Sequence, residues 1–101
     1  MLRQLNTENL ESEIQPTGIT IVDFYADWCG PCKMVDTILK TIASNNLATI
    51  VKVNIEEFPD IAEKNSIQSL PTMQFYKDGI LVSTQVGALP KVKIEEIIAA
   101  I

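Results

Sequence analysis

The sequence predicts an α/β domain whose sheet opens with parallel strands and closes with an antiparallel hairpin, helices covering both faces. Three observations carry this. First, the β-branched and aromatic run Ile19-Thr20-Ile21-Val22-Asp23-Phe24-Tyr25-Ala26 is followed by Val35, Ile38, Leu39 and Ile42 at helical spacing. Second, another apolar run, Ala48 to Ile55, follows that helix, as a strand–helix–strand crossover requires. Third, Thr72–Lys77 and Ile80–Val86 flank Asp78-Gly79, a hairpin turn signal.

Taken in order, Leu2 to Leu5 can form a short strand. Asn6 or Thr7 is placed to cap a first helix that carries Leu10 and Ile14 inward, with Leu5 stapling its start. Gln15-Pro16-Thr17-Gly18 ends it. Ile19–Ala26 is too short for a solitary helix and reads as a strand buried on both faces. The next helix reaches about Asn45-Asn46, and Pro59-Asp60 open a short one through Lys64. In the hairpin's second strand, Val82, Thr84 and Val86 alternate with Leu81, Ser83 and Gln85, one face drier than the other, as at a sheet edge. Ile94, Ile97, Ile98 and Ile101 define an amphipathic last helix beginning near Pro90. Leu89 is a poor cap, and Lys91 and Lys93 oppose the helix dipole there, so that terminus is expected to be exposed or capped by a neighbouring loop. The element order is β-α-β-α-β-α-β-β-α, with four helices.

The 101 residues, 47% of them hydrophobic, fit one domain with an ordinary core, spanning 1–101. A net charge of −5 argues against nucleic acid, whose phosphates would repel the chain. No apolar run approaches the ~20 residues that span a bilayer. The start, Met1-Leu2-Arg3-Gln4-Leu5-Asn6, has no extended apolar segment of the signal-peptide kind. There are two cysteines and no others, which suits a reducing compartment. The expected location is the cytoplasm.

Those cysteines carry the chemistry. Asp27-Trp28-Cys29-Gly30-Pro31-Cys32-Lys33 sits where the buried strand hands over to the amphipathic helix. Pro31 suits a first helical turn, where its missing N–H would have had no partner. Cys29 thus lies at the helix start and Cys32 about one turn on, on the same face, with Cβ atoms roughly 5–6 Å apart, near disulfide distance. Unpaired N–H groups and the macrodipole favour an anion at Cys29, while Cys32 is more shielded. The expected mechanism is attack by Cys29 on a substrate disulfide, a mixed disulfide, and resolution by Cys32. A CxxC also serves as half a zinc site, but zinc takes four N/S ligands and this chain has no His and no third Cys. A disulfide closing so short a loop removes little unfolded-state entropy, so a purely structural bond is the weaker reading.

Trp28-Cys29-Gly30-Pro31-Cys32-Lys33 after Val22-Asp23-Phe24-Tyr25-Ala26 resembles the thioredoxin family. The likeness continues through Lys52-Val53-Asn54-Ile55, Leu70-Pro71-Thr72, Phe75-Tyr76-Lys77-Asp78-Gly79 and Val86-Gly87-Ala88, in the family's order and spacing. It implies the thioredoxin fold, a central five-stranded mixed sheet of order 1-3-2-4-5 flanked by four helices. It also implies a monomeric protein-disulfide reductase and electron carrier without bound cofactor, the Cys29/Cys32 pair serving instead. Its partners would be disulfide-containing client proteins and an NADPH-dependent flavoprotein, thioredoxin reductase. Gly30 and Pro31 tune the pair toward reduction. The alternatives are an oxidase or isomerase domain of the same fold, and a scaffold subunit of a larger enzyme.

By the same resemblance Asp23 accepts the Cys32 proton, directly or through a water; burial should raise its pKa. A strand Asp merely satisfied by backbone donors is the plainer alternative. Lys52 would lie near Asp23 and offset its charge, against the commoner case of a Lys snorkelling from a strand edge. The Leu70–Pro71 bond is expected cis, with the Leu70 backbone open to pairing with an extended client segment. Trp28, Gly30, Pro31, Leu70, Pro71, Val86, Gly87 and Ala88 would form a docking surface, and Glu56 is placed to accept the Trp28 indole N–H. Three residues depart from the family pattern: Tyr25 where many members have Trp, Glu56 for Asp, and Thr37 for a mid-helix Pro, whose kink would be absent.

Overall fold

Four β-branched residues, Asp23 and two aromatics, Ile19–Tyr25 (β2), form the centre of the sheet, because both faces find apolar cover. The computed structural model describes residues 1–101. Around β2 lie Leu2–Gln4 (β1), Thr49–Asn54 (β3), Thr72–Lys77 (β4) and Ile80–Val86 (β5), in the order β1-β3-β2-β4-β5. β3 runs parallel to β1 and β2, while β4 and β5 are antiparallel to their neighbours. This is the expected mixed sheet.

Odd and even residues of β2 separate two cores. Ile21 joins Ile50, Met73 and Phe75 under Val35, Leu39 and Ile42 of the long helix Gly30–Ser44 (α1) and Ile94 of Lys91–Ala100 (α3). Val22 and Phe24 join Val51 and Val53 under Leu5, Leu10, Phe58 and Ile61, the last from Pro59–Lys64 (α2). α1 ends in a Schellman arrangement: Asn46 takes φ 57°, its N–H donates to the Ala43 carbonyl, and the Leu47 N–H donates to that of Ile42. Thr37 does not interrupt α1, and its hydroxyl donates to the Lys33 carbonyl at 3.3 Å.

The chain has three α-helices, not four. The expected first helix is one 3₁₀ turn, Glu11–Glu13. Side chains divert its backbone: the Asn9 N–H donates to Thr7 Oγ1, and the Ser12 N–H and hydroxyl donate to Asn9 Oδ1 and O. Pro16 also disfavours helical geometry at Gln15, and the residues left are too few to repay nucleation. Leu10 still reaches the core; Ile14 is half-buried.

The hairpin turns through Asp78 and Gly79, both at positive φ (51° and 84°), as a two-residue type I′ loop requires. β5 then holds a bulge: Tyr76 faces Leu81, whereas Phe75 faces Ser83, leaving Val82 extra. The drier side of β5 is the Ser83/Gln85 side, and Val82, Thr84 and Val86 stand exposed. α3 begins with an exposed, uncapped turn, in which the Lys93 and Ile94 N–H groups donate to the Pro90 carbonyl. No helix is long and apolar enough to cross a membrane.

Leu39 and Met34 sit on opposite sides of α1, one wholly buried and the other 66% exposed. Leu39→Ala should therefore lower unfolding free energy by about 2–5 kcal/mol, and Met34→Ala by no more than about 0.5 kcal/mol, as read from urea midpoints.

Candidate active site

The site forms where β2 gives way to α1. Cys29 is the helix N-cap, with extended backbone (φ −85°, ψ 107°), and Pro31 lies in the first turn. Cys29 and Cys32 are joined as a disulfide with Cα atoms 5.3 Å apart. The Cys32 backbone N–H donates to Cys29 Sγ at 3.2 Å, so the sulfur occupies the capping role usually filled by oxygen. The two residues are almost equally buried, 5% and 3% exposed. Their difference lies in what they face. Cys29 lines an open groove of about 420 Å³ with Trp28, Pro31, Ile55, Ile67 and Leu70. Cys32 lines a smaller polar cleft of about 180 Å³ with Tyr25, Asp27, Lys33, Asp36 and Lys52.

Trp28 is 69% exposed, and no hydrogen bond joins its indole to Glu56. The expected contact is absent; what Glu56 does form is a backbone N–H bond to Asn54 Oδ1. Gly30 is exposed on α1, with open space where a Cβ would be. The Leu70–Pro71 bond is cis, as the resemblance implied. Leu70 borders the groove, while Pro71 is buried and accepts the Gly87 N–H at 2.8 Å. Gly87 has φ 95°, a conformation that a side chain resists. Val86 pairs with Thr72 and is exposed, as is Ala88, but neither lines the groove. The predicted docking residues thus fall into two groups, one around Cys29 and one tied to Pro71.

Asp23 is completely buried on β2, and neither carboxylate oxygen has a hydrogen-bond partner in the protein. The plainer alternative, a carboxylate satisfied by backbone donors, is thereby excluded. Burial pushes its pKa up to about 7; the positive charge of Lys52 opposes this and the negative charge of Asp36 adds to it.

Lys52 is Asp23's register neighbour on β3, but its hydrogen bond goes elsewhere. Its ammonium pairs with Asp36 Oδ1 and lies 4.2 Å from the centroid of the Tyr25 ring. Lys52 therefore offsets the charge of Asp23 from its register position without a hydrogen bond to it. Nor is Lys52 a snorkelling edge residue, since its side chain is only 12% exposed. Tyr25 Oη accepts from Gln4 Nε2 at 2.6 Å, which fixes the ring under the ammonium.

Asp36 had not stood out in the sequence. It lies four residues after Cys32 on α1, and Lys40, four residues further, binds its other oxygen at 3.0 Å. Partial burial alone would raise its carboxyl, but hydrogen bonds and charge from Lys52 and Lys40 outweigh that and hold it below the usual carboxylate range. The available signal was the i, i+4 spacing Cys32–Asp36–Lys40, which puts all three on one helix face. No group of His, Cys, Asp and Glu in the structure is disposed to hold a metal ion.

Comparison with known proteins agrees with this geometry. The thioredoxin family model matches residues 1–100. Thioredoxin of Rhodospirillum rubrum is 34% identical over 102 aligned positions, covering 98% of each chain. Thioredoxin 1 of Synechococcus elongatus is 45% identical, over 83% of this chain and 77% of its own. Among solved structures, a mutant thioredoxin from Halobacterium salinarum superposes with a TM-score of 0.89 at 26% identity, over 98% of this chain and 88% of that one. With a matching family model, a shared sheet order and a Cys29–Cys32 pair at the head of α1, the chain belongs to the thioredoxin family, whose members are thiol-disulfide oxidoreductases.

Proposed function

We propose that the chain is a general protein-disulfide reductase and electron carrier of the cytoplasm, recharged by an NADPH-dependent flavoprotein, thioredoxin reductase. The observation that carries this is the Cys29 sulfur, held by the Cys32 N–H at the open end of α1 and set in the wall of the Trp28–Leu70 groove. Once the disulfide is reduced, that end of the helix favours a thiolate at Cys29. The thiolate attacks a client disulfide, forming a Cys29–client S–S bond and expelling the client's other sulfur as a thiolate, which takes a proton. Cys32 then loses its proton to Asp23 and attacks Cys29 Sγ. This re-forms the Cys29–Cys32 bond and releases the second client sulfur. Two electrons leave the dithiol for the client, and the reductase restores them. No bound cofactor enters the cycle.

The groove supports a protein client. It is open and largely apolar, and Leu70 at its edge offers a backbone to an extended segment. The cluster of Pro71, Gly87, Val86 and Ala88 extends the docking surface beyond it. Gly30 and Pro31 between the cysteines favour a reductant, and the absence of further cysteines suits a reducing compartment.

Two experiments test this. In NADPH-driven insulin reduction with a thioredoxin reductase, the wild type should turn over, Cys32→Ser should accumulate a mixed disulfide, and Cys29→Ser should do neither. Turnover by Cys29→Ser would overturn the assignment of the attacking sulfur.

The second concerns Asp23. Its carboxyl titrates near 7 in the folded chain against 3.8 for an unperturbed Asp, so the folded state holds the extra proton between those values. Stability therefore falls as pH rises through that window and levels off above it. Asp23→Asn removes this loss: the stability of the variant relative to wild type should grow by about 4 kcal/mol between pH 3 and pH 8.5. The same variant should resolve mixed disulfides several-fold more slowly at neutral pH. A stability difference that stays flat with pH, measured by urea unfolding of the oxidised proteins, is the contrary result.

A further inference from the structure

The cleft at Cys32 is lined by Asp36 and Lys52, and Asp23, which does not line it, neighbours Lys52 in the sheet register. One buried carboxylate, Asp23, has no hydrogen-bond donor. The cation beside it in register, Lys52, is bonded instead to a second carboxylate on the opposite wall. That carboxylate, Asp36, is itself clamped: Oδ1 to Lys52 and Oδ2 to Lys40. We propose that Asp36 is a positioning residue for disulfide exchange, which draws the Lys52 ammonium across the cleft and off Asp23, leaving Asp23 a stronger base toward the Cys32 thiol. This rests on the reductase reading above and deepens it.

The geometry gives each group one task. Asp36 stands one helical turn from Cys32 on α1, so the ion pair forms part of the wall that the sulfur faces. The Tyr25 ring beneath the ammonium, itself tied to Gln4, leaves Lys52 a position it can hold without Asp23. The charged groups that act on Asp23 are few. β3 supplies Lys52 and α1 supplies Asp36; on β4 the register neighbour is Met73, which carries no charge. Tyr25, Asp27 and Lys33 also line the cleft. With Asp36 present, its negative charge favours the protonated Asp23 and the positive charge of Lys52 opposes it; holding the ammonium on Asp36 limits that opposition. Without Asp36, the buried, unpaired carboxylate of Asp23 is open to its register neighbour Lys52 as a partner, and an opposite charge brought close lowers a carboxyl pKa.

In the resolving step the proton passes from Cys32 Sγ to an Asp23 oxygen as Cys32 displaces the client sulfur from Cys29. The departing client thiolate takes up a proton, and Asp23 gives its own back to solvent. A weaker Asp23 ionises at lower pH but draws the Cys32 proton less strongly.

The test is a carboxyl ¹³C NMR titration of Asp23 in the oxidised wild type and in Asp36→Asn, Asp36→Glu, Lys52→Met and the Asp36→Asn/Lys52→Met double variant. Asp36→Asn should lower the Asp23 midpoint by about one pH unit, Lys52→Met should raise it, and Asp36→Glu should restore most of the wild-type value. If Asp36 works through Lys52, its removal in the Lys52→Met background should move the midpoint by less than half as much. Resolution is read as the second equivalent of coloured thiolate released from an aromatic disulfide reagent. Its rising limb should move to lower pH in Asp36→Asn by the same amount, with a several-fold lower plateau. An Asp23 midpoint unmoved by Asp36→Asn, or moved equally in both backgrounds, overturns the proposal. A wild type that leaves insulin disulfides intact while the midpoints shift as stated supports the charge arrangement and overturns the reductase reading alone.

Discussion

The open end of one helix is the constraint to which the site is subordinate. An α-helix leaves its first N–H groups without partners inside the helix, and at α1 one of them is taken by Cys29 Sγ. This works only if the helix is held in place, and its far side is what holds it. Val35, Leu39 and Ile42 are wholly buried against Ile21, Ile50 and Phe75, and the Schellman closure at Asn46 stops the other end. The apolar stripe and the sulfur cap are therefore one device. Packing sets the direction of the helix, and the direction sets which atom its N-terminus meets.

Asp23 shows what the same core costs. It stands on the α1 side of β2, two residues from Ile21, with no donor for either oxygen. A carboxyl so placed is favoured in its neutral form, so the fold is most at ease where the proposed chemistry has no base to use. Such opposition between stability and a perturbed acid is common where an acid does chemical work. The large cores on either side of the sheet allow the chain to tolerate one such group.

Much of this was legible in the sequence, because strong local signals agreed with the global arrangement. β-branched runs mark β2 and β3, Asp78-Gly79 marks a turn with two positive φ values, and Cys-Gly-Pro-Cys after a strand marks a helix start. What the sequence did not show has several physical causes. Leu10 and Ile14 gave an inward spacing without the length to nucleate a helix, and the side chains of Thr7, Asn9 and Ser12 took the backbone bonds instead. The β5 bulge changed which residues share a face, and nothing in alternation alone reveals an inserted residue. Glu56 was placed near Trp28 by analogy, but nothing holds the exposed indole against it. Lys52 was legible as a cation near Asp23, but not as one already engaged, because its partner lies sixteen residues away on another element. Ion pairs between elements leave no local pattern in a sequence.

The two sulfurs differ little in exposure and much in surroundings, and in the proposed mechanism that difference gives the exchange a direction. Cys29 meets an open apolar groove, where a client backbone and side chains can be desolvated against Trp28, Ile67 and Leu70. Cys32 meets a tighter cleft walled by Lys52 and Asp36, with little room for a second peptide. On the proposed mechanism a client disulfide meets Cys29 in the groove, while Cys32 attacks from within. Thiol–disulfide exchange is symmetrical in its bonds, so any preference for which sulfur begins and which finishes has to come from access and from protons. On the proposed mechanism the groove governs access, and the charges of Asp23, Lys52 and Asp36 govern the proton.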